Sequence, residues 1–354
     1  MASRCLSFHA SYRCRHAGEC CRAGWDVDVE PHILEAVSTG RVAVHRTTPV
    51  AFTPAAEGPA MAPARTASGD CGFHHDCRCS LQLTGGEPLL PSACRHFPRV
   101  YLRDARGDLL TLSHFCPTAA SLLMDEGPVA VVDATPPLAL DEPIEGLDAR
   151  DALPPLVRPG LLADLDGYDA WESAVIATFV DAPDAASALA RIESATRHVR
   201  EWTPGTIPLG AAVAGAFARA GDTAGSALLS EAFTLVSELT GPHPLMDVPP
   251  DFVPRWQRVA AGLDGRRHRS IGRYLAASTF ANWVAYRGQG LRSIVAWLQA
   301  CYDVLRVQMA RALPSGANAL DEHAHLEAIR MADYIMVHTV DSLAFGREAR
   351  RFER

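Results

Sequence analysis

The chain has 354 residues, of which 48 % are apolar and 21 % charged, and its net charge is −8. That length has room for two domains, and that composition excludes a disordered or collagen-like chain. All 33 basic residues are arginine and they form no run, which excludes the basic stripe of a nucleic-acid partner; no window approaches the roughly 20 apolar residues of a membrane span.

Met1–His9 contains no apolar stretch of signal-peptide length, so the expected compartment is the cytoplasm, where thiols stay reduced. From the start to about Asp125 the sequence is rich in glycine, proline and cysteine and lacks long helical periodicity. Alternating apolar and polar residues predict short strands at Trp25–Val29 and Val100–Leu102, and Asp104-Ala105-Arg106-Gly107-Asp108 predicts a turn into Leu109–Leu112, hence a hairpin. Residues 46–69 predict a long loop or insertion, and the proline-rich, acidic stretch 126–165, which includes Val129–Val132 but nothing else periodic, predicts a linker. Beyond it the apolar spacing becomes helical. Helices are expected at Tyr168–Val180, Ala185–Trp202 (with Asp184 as N-cap), Leu209–Arg219, Thr223–Leu239, Pro250–Leu263, Ser270–Tyr286, Leu291–Leu313 and Asp321–Val340, with Gly221, Gly241 and Gly288 as stops. The expected architecture is mainly α: a small irregular α+β, cysteine-rich metal-binding domain at 1–125, the linker, and an α-helical bundle at 166–354.

Nine of the ten cysteines lie within the first 116 residues. Such a cluster points to disulfides, zinc or an iron–sulfur cluster, and a reducing compartment disfavours the first. Seven stand in a definite order: Cys14, Cys20 and Cys21 (Cys-x5-Cys-Cys), Cys71 and Cys79 (Cys-x7-Cys), Cys94 in Cys-Arg-His-Phe-Pro-Arg, and Cys116 in His-Phe-Cys-Pro. The Cys-x2-Cys knuckle usual for structural zinc is absent, which leaves zinc with scattered ligands, joined by His16, His74, His75, His96 or His114, or an iron–sulfur cluster, which tolerates wider spacing. The adjacent Cys20 and Cys21 do not easily both point at one metal, and seven cysteines leave room for a second centre. Cys301, at apolar spacing in a helix, reads as a buried core thiol.

The order Cys-x5-Cys-Cys-x3-Trp, Cys-x7-Cys-Ser-x-Gln, Leu-Pro-x2-Cys-Arg-x-Phe-Pro-Arg and Leu-Ser-x2-Cys-Pro resembles the YkgJ-type cysteine-cluster proteins, and within them the flagellin lysine-N-methylase (FliB) group. It rests on Cys14, Cys20, Cys21, Trp25, Cys71, Cys79, Gln82, Pro91, Cys94, Arg95, Phe97, Pro98, Arg99, Ser113, Cys116 and Pro117, and more loosely on Arg273–Trp283 and a last helix ending at His338. Where the broad family often reads Cys-x2-Cys-x2-Cys-Cys, its second cysteine falls at Ala17 here, so Cys5, Cys77 or His16 would have to supply any ligand that position carries.

The resemblance implies methyl transfer from S-adenosylmethionine to a lysine amine of flagellin or another protein or peptide, with an iron–sulfur cluster, [4Fe–4S] in the first instance, held by the seven cysteines. The residues depart from two familiar ways of using that cofactor: no Gly-x-Gly follows a strand, and no Cys-x3-Cys-x2-Cys occurs. The implied binding is therefore through the cluster, with Arg95 or Arg99 pairing the carboxylate; both arginines also read as structural ion-pair partners. His96 and His114, nearest the cysteine motifs, are the candidate bases, or plain hydrogen-bonded side chains. Trp25 and Phe97 read as packing around the metal. The helical part either presents a groove to the substrate or simply supports the metal domain. Asp141-Glu142 and Asp321-Glu322 suit a cationic substrate and equally suit a solvated surface. Two other functions compete: a non-catalytic iron or zinc carrier, and a metal-dependent oxidase.

Overall fold

The hairpin read at Asp104–Asp108 is present in the computed structural model, which describes residues 3–25, 27–55, 58–134, 146–221 and 228–354. It belongs to a five-stranded sheet made of β1 (Ser3–Leu6), β2 (Arg99–Asp104), β3 (Gly107–Leu112), β4 (Val131–Asp133) and β5 (Gly146–Asp148). The strand order is β4-β1-β3-β2-β5. β1 runs parallel to β3, β2 returns antiparallel to β3, and Gly107 turns the hairpin at φ +118°, a conformation that glycine adopts without strain. Leu6, Leu102, Leu109 and Leu110 are all fully buried, so the central strands are covered on both faces and read as apolar runs rather than clean alternations.

The stretch read as a linker does more than connect. Its β4 pairs with β1 (Cys5 opposite Val132) and its β5 with β2 (Leu102 opposite Leu147), so it supplies both edges of the sheet. Prolines are tolerated at such edges, where fewer ladder hydrogen bonds are required. Trp25 and Val27–Val29 are not a strand: they form irregular chain leading into a helix, held where the Val29 N–H donates to the Met61 carbonyl. The predicted loop 46–69 contains a small ribbon pairing Phe52–Pro54 with Met61–Pro63.

The described chain is mainly α. Four short helices punctuate the cysteine-rich part: α1 (Pro31–Ser38), α2 (Ser80–Gly85), α3 (Ser92–His96) and α4 (Pro117–Leu122). Then come α5 (Leu165–Asp181), α6 (Ala185–Val199), α7 (Leu209–Arg219), α8 (Glu231–Thr240), α9 (Phe252–Ala261), α10 (Gly265–Thr279), α11 (Val284–Arg287), α12 (Leu291–Ala312), α13 (Glu322–Asp333) and α14 (Ser342–Glu348). Asp164, Asp184, Ser230, Asp264, Asp321 and Asp341 each accept a hydrogen bond from the first turn that follows, which explains where these helices begin. The helix expected from Thr223 starts at Glu231, and residues 223–227 lie outside the described residues.

Two predicted helices are broken. Ser270–Tyr286 divides into α10 and α11 because Ala281 takes φ +57° and the Asn282 side chain bonds the Ser278 carbonyl and the Val284 N–H, a local alternative to continued helix. Asp321–Val340 is α-helical only to Asp333 and continues as a π-helical turn, Tyr334–Thr339. No helix among the described residues is long and apolar enough to cross a membrane.

One apolar core runs from the sheet (Leu6, Tyr101, Leu110) into the helices (Trp171, Leu275, Leu305), and α12, buried nearly all round, lies at its centre. Within α12, Arg306 pairs with Asp303 at 2.8 Å and its guanidinium lies 5.4–5.6 Å from the ring centres of Phe252, Trp256 and Tyr302. A separate small core of Ala36, Val37, Phe73, Leu81 and Leu89 sits under the cysteine-rich segment.

Two stability predictions follow from helix contacts. Gly272 lets α10 cross α5 closely, because a Cβ there would overlap the Phe179 carbonyl oxygen. Helix propensity alone favours alanine over glycine by about 1 kcal/mol; Gly272→Ala is nonetheless expected to lower the denaturant midpoint, since the clash is with backbone. On α13, the His325 Nε2–H donates to the Ser270 hydroxyl, which itself donates to the Arg267 carbonyl. Burial pushes His325 down from its ordinary 6.5 to about 4. Between those values the folded protein keeps it neutral while the unfolded chain binds a proton, so its contribution is complete above pH 6.5 and is lost as pH falls towards 4. His325→Gln is expected to flatten the stability–pH curve in that window.

Candidate functional site

Five thiols gather from four separate segments. Cys20 and Cys21 lie in a single turn, Glu19–Cys21, entered through Gly18 at φ +78°. The Cys71 N–H donates to the Cys21 carbonyl at 2.8 Å, which docks the second segment on the first. Cys79 pairs with His74 in a two-strand ribbon, and Cys94 sits in α3, whose Ser92 N–H is held by Glu30.

The Cys21 thiol lies against both Cys20 and Cys71, and its single hydrogen serves one of them at a time; this raises its own pKa while lowering theirs, Cys71 to about 7. Burial pushes the Cys94 thiol up, and Cys20, Cys79 and Cys71 push it further by like charge. Crowded thiols in this state repel one another as they ionise, and a bound cation reverses that. The donor set therefore fits a thiolate-held metal or cluster in type and number. Among the described residues, however, no three His, Cys, Asp or Glu side chains stand in the arrangement of a closed metal site; the thiols are neighbours rather than a coordination sphere.

The seven cysteines singled out in the sequence thus fall into two groups. Cys14 and Cys116 lie around Tyr12, whose hydroxyl is 3.8 Å from the Cys116 sulfur and whose pKa is raised by burial and then by both cysteines. Of the remainder, Cys5 is buried in β1 and pushed up to about 11 by burial, Cys77 is exposed, and Cys301 is buried in α12 as expected.

α13 and the turn after it connect this group to a second one. Arg330 donates to the Phe115 carbonyl at 2.9 Å and pairs with Glu19 at 3.2 Å, beside Cys20. Four residues past Cys21, the Trp25 ring lies 4.6 Å from the ring of His338 and 5.2 Å from that of Phe97.

The second group centres on Asp333, which is 3 % exposed. Its Oδ2 accepts from the Ser113 hydroxyl (2.7 Å) and the Phe115 N–H (3.1 Å), and its Oδ1 faces His114 Nδ1 at 3.5 Å. His114 Nε2 lies 3.1 Å from His9 Nε2, and His338 Nε2 lies 2.7 Å from the Ser113 hydroxyl. Burial pushes both His9 and His338 down; His114 lowers His9 further, whereas Asp333 partly raises His338.

A cavity of about 390 Å³ opens beside this network. Arg99, His114, Trp283, Asp333, His338 and Asp341 lie on its wall, so both charge signs stand among apolar and aromatic surfaces. Such a lining suits a small ligand with a charged end and an apolar body.

Of the sequence candidates, Arg99 and His114 reach this wall. Arg99 also donates to the Arg95 carbonyl at 2.8 Å, while Arg95 and His96 belong to α3 and His96 is buried there, apart from the cavity wall. Asp321 is a helix cap and Glu322 pairs with Arg266; Asp141 and Glu142 lie outside the described residues. Asp333 and His338 carried no signal as a pair. Five residues apart, they fall on different faces of a helix with about 3.6 residues per turn, and only the wider π turn brings both to one wall.

The chain matches no family model, no curated protein and no solved structure.

In metal-free protein at pH 7, iodoacetamide is expected to modify Cys20 and Cys71 before Cys5, Cys94, Cys116 and Cys301, whose thiols burial pushes up. Cys21→Ala, which removes the donor to Cys71, is expected to slow labelling of Cys71; mass-spectrometric mapping reads both.

Proposed function

We propose that the chain is an S-adenosylmethionine-dependent N-methyltransferase acting on a lysine of a protein or peptide, flagellin being the substrate suggested by the motif resemblance, with an iron–sulfur cluster held by its cysteine-rich segment. The observation that carries this reading is the adjacency of two things: a gathered set of thiols, and a cavity of mixed charge tied to them through Trp25, Arg330 and α13. A metal carrier needs the thiols but neither the cavity nor the buried carboxylate beside it.

Cys20, Cys71, Cys79 and Cys94 are the set that would hold the cluster, since Cys94 feels the charge of the other three. We assign Cys21, whose thiol lies against those of Cys20 and Cys71 and whose pKa they raise, as the neighbouring thiol rather than a ligand. Held by four thiolates, such a cluster would be net negative, and the chemistry it would supply is an attraction for the cationic sulfonium beside the cavity. S-adenosylmethionine supplies a methyl group on a sulfonium, whose carbon–sulfur electron pair returns to sulfur as an amine lone pair takes the methyl. The chain's own part is to hold, orient and deprotonate. Arg99 is placed to pair a carboxylate, the aromatic wall excludes water, and Asp341 offers negative charge to an ammonium.

The test is anaerobic purification followed by iron, sulfide and zinc analysis, absorbance spectra with and without S-adenosylmethionine, and methyl transfer to a lysine peptide. About four irons and four sulfides per chain, a spectrum that shifts with the cofactor, and a methylated peptide are expected. Zinc alone, with no cofactor response, overturns the reading. Cys94→Ala is expected to lose the iron and Cys301→Ser to keep it.

A further inference from the structure

We infer that His338, not His96 or His114, is the residue that takes the proton from the substrate amine, and that Ser113 and Asp333 are positioning residues that fix its tautomer. This rests on the methyl-transfer reading, and deepens it by assigning the base.

The assignment follows from counting hydrogens. Ser113 has one hydroxyl hydrogen, and it is donated to Asp333 at 2.7 Å. In its 2.7 Å contact with His338 the same oxygen must therefore accept, so His338 Nε2 carries a hydrogen. In the neutral ring that leaves Nδ1 as the nitrogen with a lone pair, on a residue of the cavity wall.

His114 is arranged the other way. Its Nδ1–H faces Asp333 and its Nε2 is taken by His9, so both nitrogens are committed inside the protein. His96 is buried in α3 away from the wall.

The step balances without further reagents. One N–H bond of the substrate ammonium breaks, its electron pair stays on nitrogen as the nucleophilic lone pair, and the proton forms Nδ1–H on His338. The imidazolium then donates through Nε2 to Ser113, which donates to the Asp333 carboxylate, so the positive charge stays on the ring and is balanced through the serine by a buried negative one. Desolvation by its aromatic neighbours lowers the pKa of the ring and favours its neutral form, while the residue as a whole stays exposed. The other groups around it are the Tyr334 ring, the Trp25, Phe97 and Phe115 rings, and the cavity charges Arg99, Arg287 and Asp341. The π turn is what gives His338 this place, and such turns recur at functional sites.

The experiment uses the full, cluster-bearing chain. His338→Ala is expected to lower kcat for peptide methylation by about 100-fold or more with little change in KM, and added imidazole to restore part of the rate. His96→Ala is expected to stay within a few-fold of the wild type. Nitrogen NMR of the wild type, which does not depend on turnover, is expected to show His338 as the Nε2–H tautomer, and Asp333→Asn to disturb that preference. A His338→Ala enzyme as active as the wild type, or an Nδ1–H tautomer in the wild type whatever the rates, overturns the inference while leaving the function standing. A wild type that transfers no methyl overturns the function and the inference with it.

Discussion

One buried carboxylate holds together parts of the chain that are more than two hundred residues apart. Three consecutive residues meet Asp333: it receives a hydroxyl hydrogen from Ser113 and a backbone N–H from Phe115, and it faces the ring of His114 at 3.5 Å. A carboxylate this deeply buried is tolerable only when its oxygens are satisfied, and the strand end that follows β3 is shaped to do so. One turn earlier on the same helix, Arg330 grips the Phe115 carbonyl and Glu19. The last helices thus set both the position of the Cys20–Cys21 turn and the hydrogen pattern of the cavity wall, and moving α13 would disturb the two together.

The helical part has its own polar centre. Asp303 and Arg306 lie within α12, and Asp303 also accepts from the Ser230 N–H at the start of α8. A buried ion pair contributes little beyond what well-packed apolar residues would, but losing one partner strands the other. Here it ties the start of α8 to α12, with aromatic rings of α9 and α12 enclosing the guanidinium.

Much of this was legible in the residues. The long helices announce themselves by apolar spacing and by aspartate or serine caps, and the Asp104–Gly107 turn by its composition. The short helices α1 to α4 are too brief to show a period. The edge strands β4 and β5 were hidden because their pairing is decided by distant partners, β1 and β2, rather than by their own sequence. At the site, the cysteines were visible but their division was not: Cys116 follows Cys94 closely in sequence, yet it faces Tyr12. Nor did Asp333 and His338 read as a pair, since their meeting depends on a π turn that no local pattern foretold.

The small core beneath the cysteines carries a consequence of its own. Ala36, Val37, Phe73, Leu81 and Leu89 form it, with Val42, Val44, Ala51, Phe52 and the thiols of Cys71 and Cys79 packed half-buried against its rim. So few apolar side chains offset little of the entropy of ordering the irregular chain around them. A cross-link through those rim thiols would stand in for the missing apolar mass, as metals do in small domains. Were a metal or cluster to bridge those thiols, its removal would loosen this region alone, while the sheet and the helices around α12 stay folded on a core that does not include it.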